Sequence, residues 1–168
     1  MFSILAGVVA LSMASFGYIA LYEYVKEYST TCGYILLISF VLLFIAETAH
    51  HVFCGAVEWF YIRMGRTEEA RKAILEFFKK TLTTMYVCYI GFLLFTITLF
   101  VVIVSGKTGL PRWACVFNAL PIFIALFPFR IVGSFNIASA LSFLGIFITF
   151  CVCLLYTSPS PRDVEESR

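Results

Sequence analysis

Residues 36–46 and 85–105 contain no charged side chain, and these two uncharged runs decide most of what the chain can become. In lipid every backbone N–H and C=O must find an internal partner, so only helices and closed barrels are admitted. Barrel strands alternate apolar and polar residues, whereas these runs are continuously apolar, which selects helices. The whole chain follows suit: 61% of its residues are hydrophobic and 13% charged, against roughly 45–50% and 25% in soluble domains. A soluble fold of this length has no interior large enough to hide that surface. The formal charge of +2 is small and gathered mainly in one linker, which argues against a nucleic-acid partner. The expected fold class is all-α, a polytopic transmembrane helical bundle.

A crossing helix needs about 20 apolar residues. Five segments approach or meet that length: residues 2–22, 33–64, 82–105, 113–129 and 131–152. The first has no positive flank before it, which disfavours a cleaved signal peptide. The second is longer than one crossing. The fourth is short and carries Pro121 inside and Pro128 near its end, so a kink is expected. Between the second and third spans, Arg63, Arg66, Arg71, Lys72, Lys79 and Lys80 outnumber Glu68, Glu69 and Glu76. Basic loops stay on the cytoplasmic side, which places the N-terminus inside and residues 23–31 in an outer loop. Thr67 followed by Glu68 and Glu69, with apolar Ala73, Ile74, Phe77 and Phe78, predicts an N-capped amphipathic helix at about 65–80 along the inner surface. The same apolar face could equally pack on the bundle.

Residues 153–163 read CLLYTSPSPRD and resemble a translated transposase-type sequencing adapter, matched throughout in one reading frame. The polar, Pro-rich composition also breaks abruptly from the apolar run before it. Residues 153–168 are therefore expected to be a non-native tail, with 1–152 forming one bundle and a sixth span lost beyond it. Five cysteines then remain, Cys32, Cys54, Cys88, Cys115 and Cys151, without any CxxC pair. That spacing predicts small buried apolar groups rather than a disulfide framework.

The constellation with chemical content lies in the second span. At about 100° per residue, Glu47, His51, Cys54 and Glu58 share a narrow wedge of the helix, with His50 and Tyr61 on its flank. Ionisable groups at bilayer depth are costly enough to mark functional candidates. Three readings compete. In the first, the stripe is an interhelical polar seam whose members satisfy one another. In the second, it lines a pocket for a small ligand or a proton pathway, glutamate and histidine forming a relay. In the third, Glu47-x-x-His50 belongs to a metal-dependent membrane enzyme, since helical di-metal bundles use that spacing. Such a site wants a second motif and more carboxylates, yet residues 1–152 hold no Asp and seven Glu. No metal or cofactor is therefore predicted.

No nucleophile, base and orienting acid can be assembled, because both histidines sit on one helix. Gly106-Lys107-Thr108-Gly109 lacks the spacing of a phosphate-binding loop and reads as a turn. A second polar cluster comprises Asn118 before Pro121, then Arg130, Ser134 and Asn136. It could line a broken-helix site or simply satisfy a kink. Small residues at Ala6, Ala10, Ala14 and Gly17, and at Ser134, Ala138, Ser142 and Gly145, predict close helix approach within the chain or in a homo-oligomer.

Residues 105–143, with Gly106-Lys107-Thr108, Pro111-x-Trp113, Phe117-Asn118 and Gly133-x-x-Asn136, resemble an uncharacterised family of bacterial multi-pass membrane proteins, as does the stretch HHVFCGAVEWFYIRMG at 50–65. Where that family carries Asn-Pro, this chain has Asn118-Ala119 and a proline at Pro121. The resemblance implies a six-pass-like bundle in a bacterial inner membrane with no established activity. The site it leaves open is a pocket lined by Glu47, His50, His51, Cys54 and Glu58, closed by Asn118 or Arg130. The lipid bilayer is the expected partner, with a proton or a small molecule as ligand. A membrane scaffold is the alternative, and an enzyme comes third.

Overall fold

A computed structural model of the chain describes residues 2–126, 128, 144, 145, 147–149, 151 and 152. Three long helices come first, α1 (Phe2–Tyr28), α2 (Thr30–Arg63) and α3 (Glu68–Val104). A 3-10 turn, Arg112–Phe117, and a short α4 (Ala119–Leu126) follow. The described residues near the C-terminus, 144–152, are helical, and no strand occurs among the described residues. The fold is all-helical, and α1, α2 and α3 are each long and apolar enough to cross a membrane.

The helix boundaries follow from local chemistry. Only Ser29 separates α1 from α2. Its N–H donates to the Val25 carbonyl at 2.9 Å, finishing α1, and its own carbonyl accepts from Gly33 at 2.9 Å, starting α2. Its hydroxyl also accepts the Cys32 N–H at 3.3 Å, the usual service of an N-cap serine. The reversal is tight enough that a Cβ on Gly33 would sit 2.8 Å from Lys26 Cβ.

At the other end of α2, Arg66 N–H reaches back to the Tyr61 carbonyl at 3.0 Å and Gly65 N–H to Ile62 at 3.2 Å. This paired closure requires the left-handed backbone that Gly65 adopts at φ +72°. Thr67 then caps α3, its Oγ1 accepting from Ala70 N–H at 3.2 Å.

Three expectations are revised. The outer loop at 23–31 shrinks to one residue, because α1 continues through Glu23, Lys26 and Glu27 to Tyr28. Those charges mark an edge of the apolar run, yet no Gly or Pro stops the helix there, and Leu21 and Val25 are buried on its inner side. The amphipathic segment at 65–80 is likewise the start of α3 and not a separate helix, since nothing after the Thr67 cap breaks the hydrogen-bond ladder. The span expected at 113–129, with a kink at its prolines, is broken instead at Asn118, whose extended backbone (φ −66°, ψ 148°) divides the 3-10 turn from α4. Pro121 falls in the first turn of α4, where a missing N–H leaves no bond unmade. Most of the span expected at 131–152, and the tail at 153–168, lie outside the described residues.

The chain divides into two compact units. The first, Met1–Tyr22 with Tyr34–Phe95, has an aromatic centre: Tyr18 on α1 lies 4.7 Å from Phe95 on α3 and 4.9 Å from Phe44 on α2, ring centre to ring centre. Three glycines let its helices meet. A Cβ on Gly7 would collide with the His51 ring, one on Gly55 with Ile4, and one on Gly91 would stand 2.5 Å from the Leu43 amide nitrogen and 2.9 Å from the Ser39 carbonyl oxygen. Close backbone approach of this kind holds helices together where lipid supplies no hydrophobic drive. The outward surface is apolar: Phe16 is 73% exposed and Ile45 70%.

The second unit, Glu23–Gly33 with Thr96–Arg168, buries Leu99, Ile103, Leu110 and Ala114. Gly106 (φ +67°) closes α3, and the Arg112 guanidinium lies over it, a cation at the negative end of a helix. The turn expected at 106–109 is thus seen as the terminator of α3.

Candidate functional site: a polar seam and a neighbouring cavity

The polar stripe of α2 is divided among its neighbours, because the adjacent His50 and His51 point about 100° apart around the helix, while Cys54 and Glu58 share the face of His51 but lie further along it toward the turn. His51 turns toward α1 and rests on Gly7. His50 turns toward α3, its Nδ1 lying 3.3 Å from Thr84 Oγ1. Thr84 spends its own hydroxyl hydrogen on the Thr81 carbonyl at 2.8 Å. The threonine oxygen is therefore the acceptor, and His50 is assigned as the donor through Nδ1–H. Phe78 flanks the imidazole with ring centres 6.5 Å apart.

Glu47 lies between these contacts. Its carboxylate is within electrostatic reach of Tyr18 on α1, His51 one turn along α2, and Cys88 on α3. Its Oε2 is buried and has no hydrogen-bond partner among the described residues. Among the described residues this carboxylate oxygen is thus a buried acceptor without a donor.

Cys54 and Glu58 belong elsewhere. They line a cavity of about 330 Å³ between the end of α2 and the start of α3, with Val57 and Tyr61 on the same helix. Arg71, Ile74, Leu75 and Phe78 form the α3 wall. A larger cavity of about 600 Å³ lies between α1 and α2, bordered by Ser12, Ser15, Thr48 and apolar side chains. The two serines turn their hydroxyls back to their own helix, Ser12 to Val8 and Ser15 to Ser12. Glu47, His50 and His51 line neither of these cavities.

Of the remaining candidates, Asn118 lies in the second unit. It is fully buried, and its Oδ1 accepts the Leu120 N–H at 2.9 Å, capping α4. Its Nδ2 has no hydrogen-bond partner among the described residues. Gly145 packs directly on the Phe117 carbonyl beside it, so one member of the second small-residue stripe serves contact within the chain. Ala6, Ala10 and Ala14 of the first stripe are exposed, and Gly7, one position along, makes the close approach instead. Arg130, Ser134 and Asn136 lie outside the described residues.

Sequence reasoning grouped Glu47, His51, Cys54 and Glu58 by angle and offered the hydroxyls of the third span as partners for the glutamates, but it did not pair Thr84 with His50 and gave no weight to Arg71 or Gly7. The glycine signal was available, since Gly7 and Gly55 interrupt otherwise large apolar runs. Among the described residues no group of three or more His, Cys, Asp or Glu side chains is arranged to hold a metal ion.

These features define a class: an all-helical protein whose long apolar helices suit a lipid bilayer, joined by a polar seam. The family model described as a family of unknown function, DUF6796, matches residues 1–159, and the chain belongs to that family. No curated protein and no solved structure matches the chain.

Proposed function

We propose that the chain is an integral, multi-pass protein of a bacterial inner membrane in which Glu47 takes up and releases a proton at bilayer depth. The observation that carries this reading is the buried Glu47 Oε2, which has no hydrogen-bond partner among the described residues, in a seam where His50 reaches across to Thr84. A buried acceptor left unmade costs about 1–3 kcal/mol. Such a group persists where another requirement keeps it, and a proton is the smallest species able to fill it. His51 one turn away supplies a second titratable site, and Tyr18 and Cys88 supply polar neighbours on the other two helices.

Apolar faces such as that of Phe16 and Ile45 would meet lipid. The surplus of lysine and arginine at 63–80 favours a cytoplasmic position for the turn between α2 and α3, with the N-terminus on the same side.

The test is infrared difference spectroscopy on the full chain reconstituted in liposomes. A carboxyl C=O band that titrates with pH and vanishes in Glu47→Gln supports proton binding. An unchanged spectrum across the accessible pH range in the parent protein overturns it.

The alternative, a scaffold whose seam only joins helices, draws on the His50–Thr84 hydrogen bond and the glycine contacts. Under that reading Glu47→Gln leaves the spectrum and any proton flux into liposomes untouched, whereas loss of His50 loosens the helices.

A further inference from the structure

The cavity at the end of the α2–α3 hairpin has a composition that the seam does not explain. Its surface is apolar, at Val57, Ile74 and Phe78, and it is bordered by two exposed charged residues, Glu58 from α2 and Arg71 from α3. These opposite charges do not pair with each other. Arg71 gives Nε–H and one Nη2–H to Glu68, at 2.7 and 2.5 Å, on its own helix. Glu58 makes no ion pair among the described residues. One acceptor and several guanidinium donors, the Nη1 pair among them, therefore remain beside an apolar hollow of about 330 Å³.

Depth adds a second constraint. Along α2, Glu58 stands ~16 Å from Glu47 at the helical rise per residue, toward the charged turn. Trp59 is partly exposed next to it, and the Arg63 guanidinium lies 5.8 Å from the Trp59 ring centre. Tryptophan beside a cation is the side-chain pattern of the headgroup level. A hollow at that level meets a chain from one side and a headgroup from the other.

We infer that this cavity binds a phospholipid with a primary-amine headgroup, the ammonium on Glu58, the phosphate on Arg71, and an acyl chain along Val57, Ile74 and Phe78. The inference rests on the membrane placement proposed above and is independent of the proton on Glu47. An anionic headgroup without an amine would meet the Glu58 carboxylate with no cation to offer. A choline headgroup brings a cation but no N–H to donate. The ammonium of an ethanolamine lipid answers the Glu58 carboxylate while its phosphate takes the Arg71 N–H groups that Glu68 leaves, and charge-assisted hydrogen bonds of this kind are the stronger ones.

The experiment is native mass spectrometry on the full chain in detergent micelles. It is titrated with phosphatidylethanolamine, phosphatidylglycerol and phosphatidylcholine of matched chains, and separately with water-soluble phosphoethanolamine. The ethanolamine lipid is expected to be retained about tenfold more tightly than the other two, the factor that one charge-assisted hydrogen bond supplies. Glu58→Gln, at an exposed position, is expected to erase that preference. Leu75→Trp, which fills the hollow, is expected to remove the adduct.

Equal retention of the three lipids, a preference that survives Glu58→Gln, or equal binding of phosphoethanolamine alone would each overturn the inference. Alkaline extraction of native membranes separates the two readings. A chain that stays in the membrane but retains no lipid preferentially loses only this site, whereas a chain released by alkali loses the membrane placement as well.

Discussion

The α2–α3 hairpin joins the same two helices in two different ways along its length. At Gly91 the backbones touch, with the Ser39 carbonyl and Leu43 amide occupying the space a side chain would need. Toward the turn at residues 64–67, Phe78, Leu75, Ile74 and Arg71 stand where no α3 glycine is available, and a cavity is left against α2. Between them the His50–Thr84 hydrogen bond bridges the pair. One glycine separates a dry, locked end from an open, mixed end. The lesson is that helix contact here is set by the smallest side chain in the interface and not by how apolar the interface is.

That contrast can be broken most severely at its locked end. Gly91→Val forces a branched side chain into the α2 backbone and is expected to destabilise the protein by about 3 kcal/mol, the upper part of the overpacking range. Thermal unfolding in detergent would show it as a large drop in midpoint. Gly7→Ala puts a methyl group into the His51 ring, which can swing aside at some cost. A loss of about 2 kcal/mol is expected in the same assay, with altered histidine NMR shifts.

Thr84→Val keeps shape and removes the acceptor for His50, and about 0.6 kcal/mol is expected, the average of such bonds between membrane helices. At the open end Leu75→Trp should shift unfolding by no more than about 0.5 kcal/mol. A cost there comparable to Gly91→Val would mean that the two ends do not differ and would undo the comparison.

How much of this was legible in the sequence depends on which force wrote it. The apolar runs state that helices must form, and Thr67, Gly65 and Gly106 state where two of them stop or start, because caps and left-handed turns are local chemistry. The continuity of α1 through Glu23 and Lys26, and of α3 through Lys79 and Lys80, was hidden. Charge reports where lipid could end, and a helix runs on past that level unless a breaker intervenes. The stripe at Glu47, His51, Cys54 and Glu58 was legible as an angle, but its division among α1, α3 and the cavity depends on partners distant in sequence. Thr84 and Arg71 carry no local mark of that role. Asn118 read as a polar group before a proline kink. Its work as the cap of α4 follows from the extended backbone at that residue, which Pro121 accommodates but does not place.

The single residue between α1 and α2 has a mechanical consequence. With Ser29 serving as the end of one rod and the beginning of the next, there is no slack to absorb a slide. If α2 were to advance by one helical turn, ~5.4 Å, α1 would be drawn along with it, taking Gly7 and the imidazole seated on it as a set. Any slide of this hairpin along its axis therefore carries both rods together.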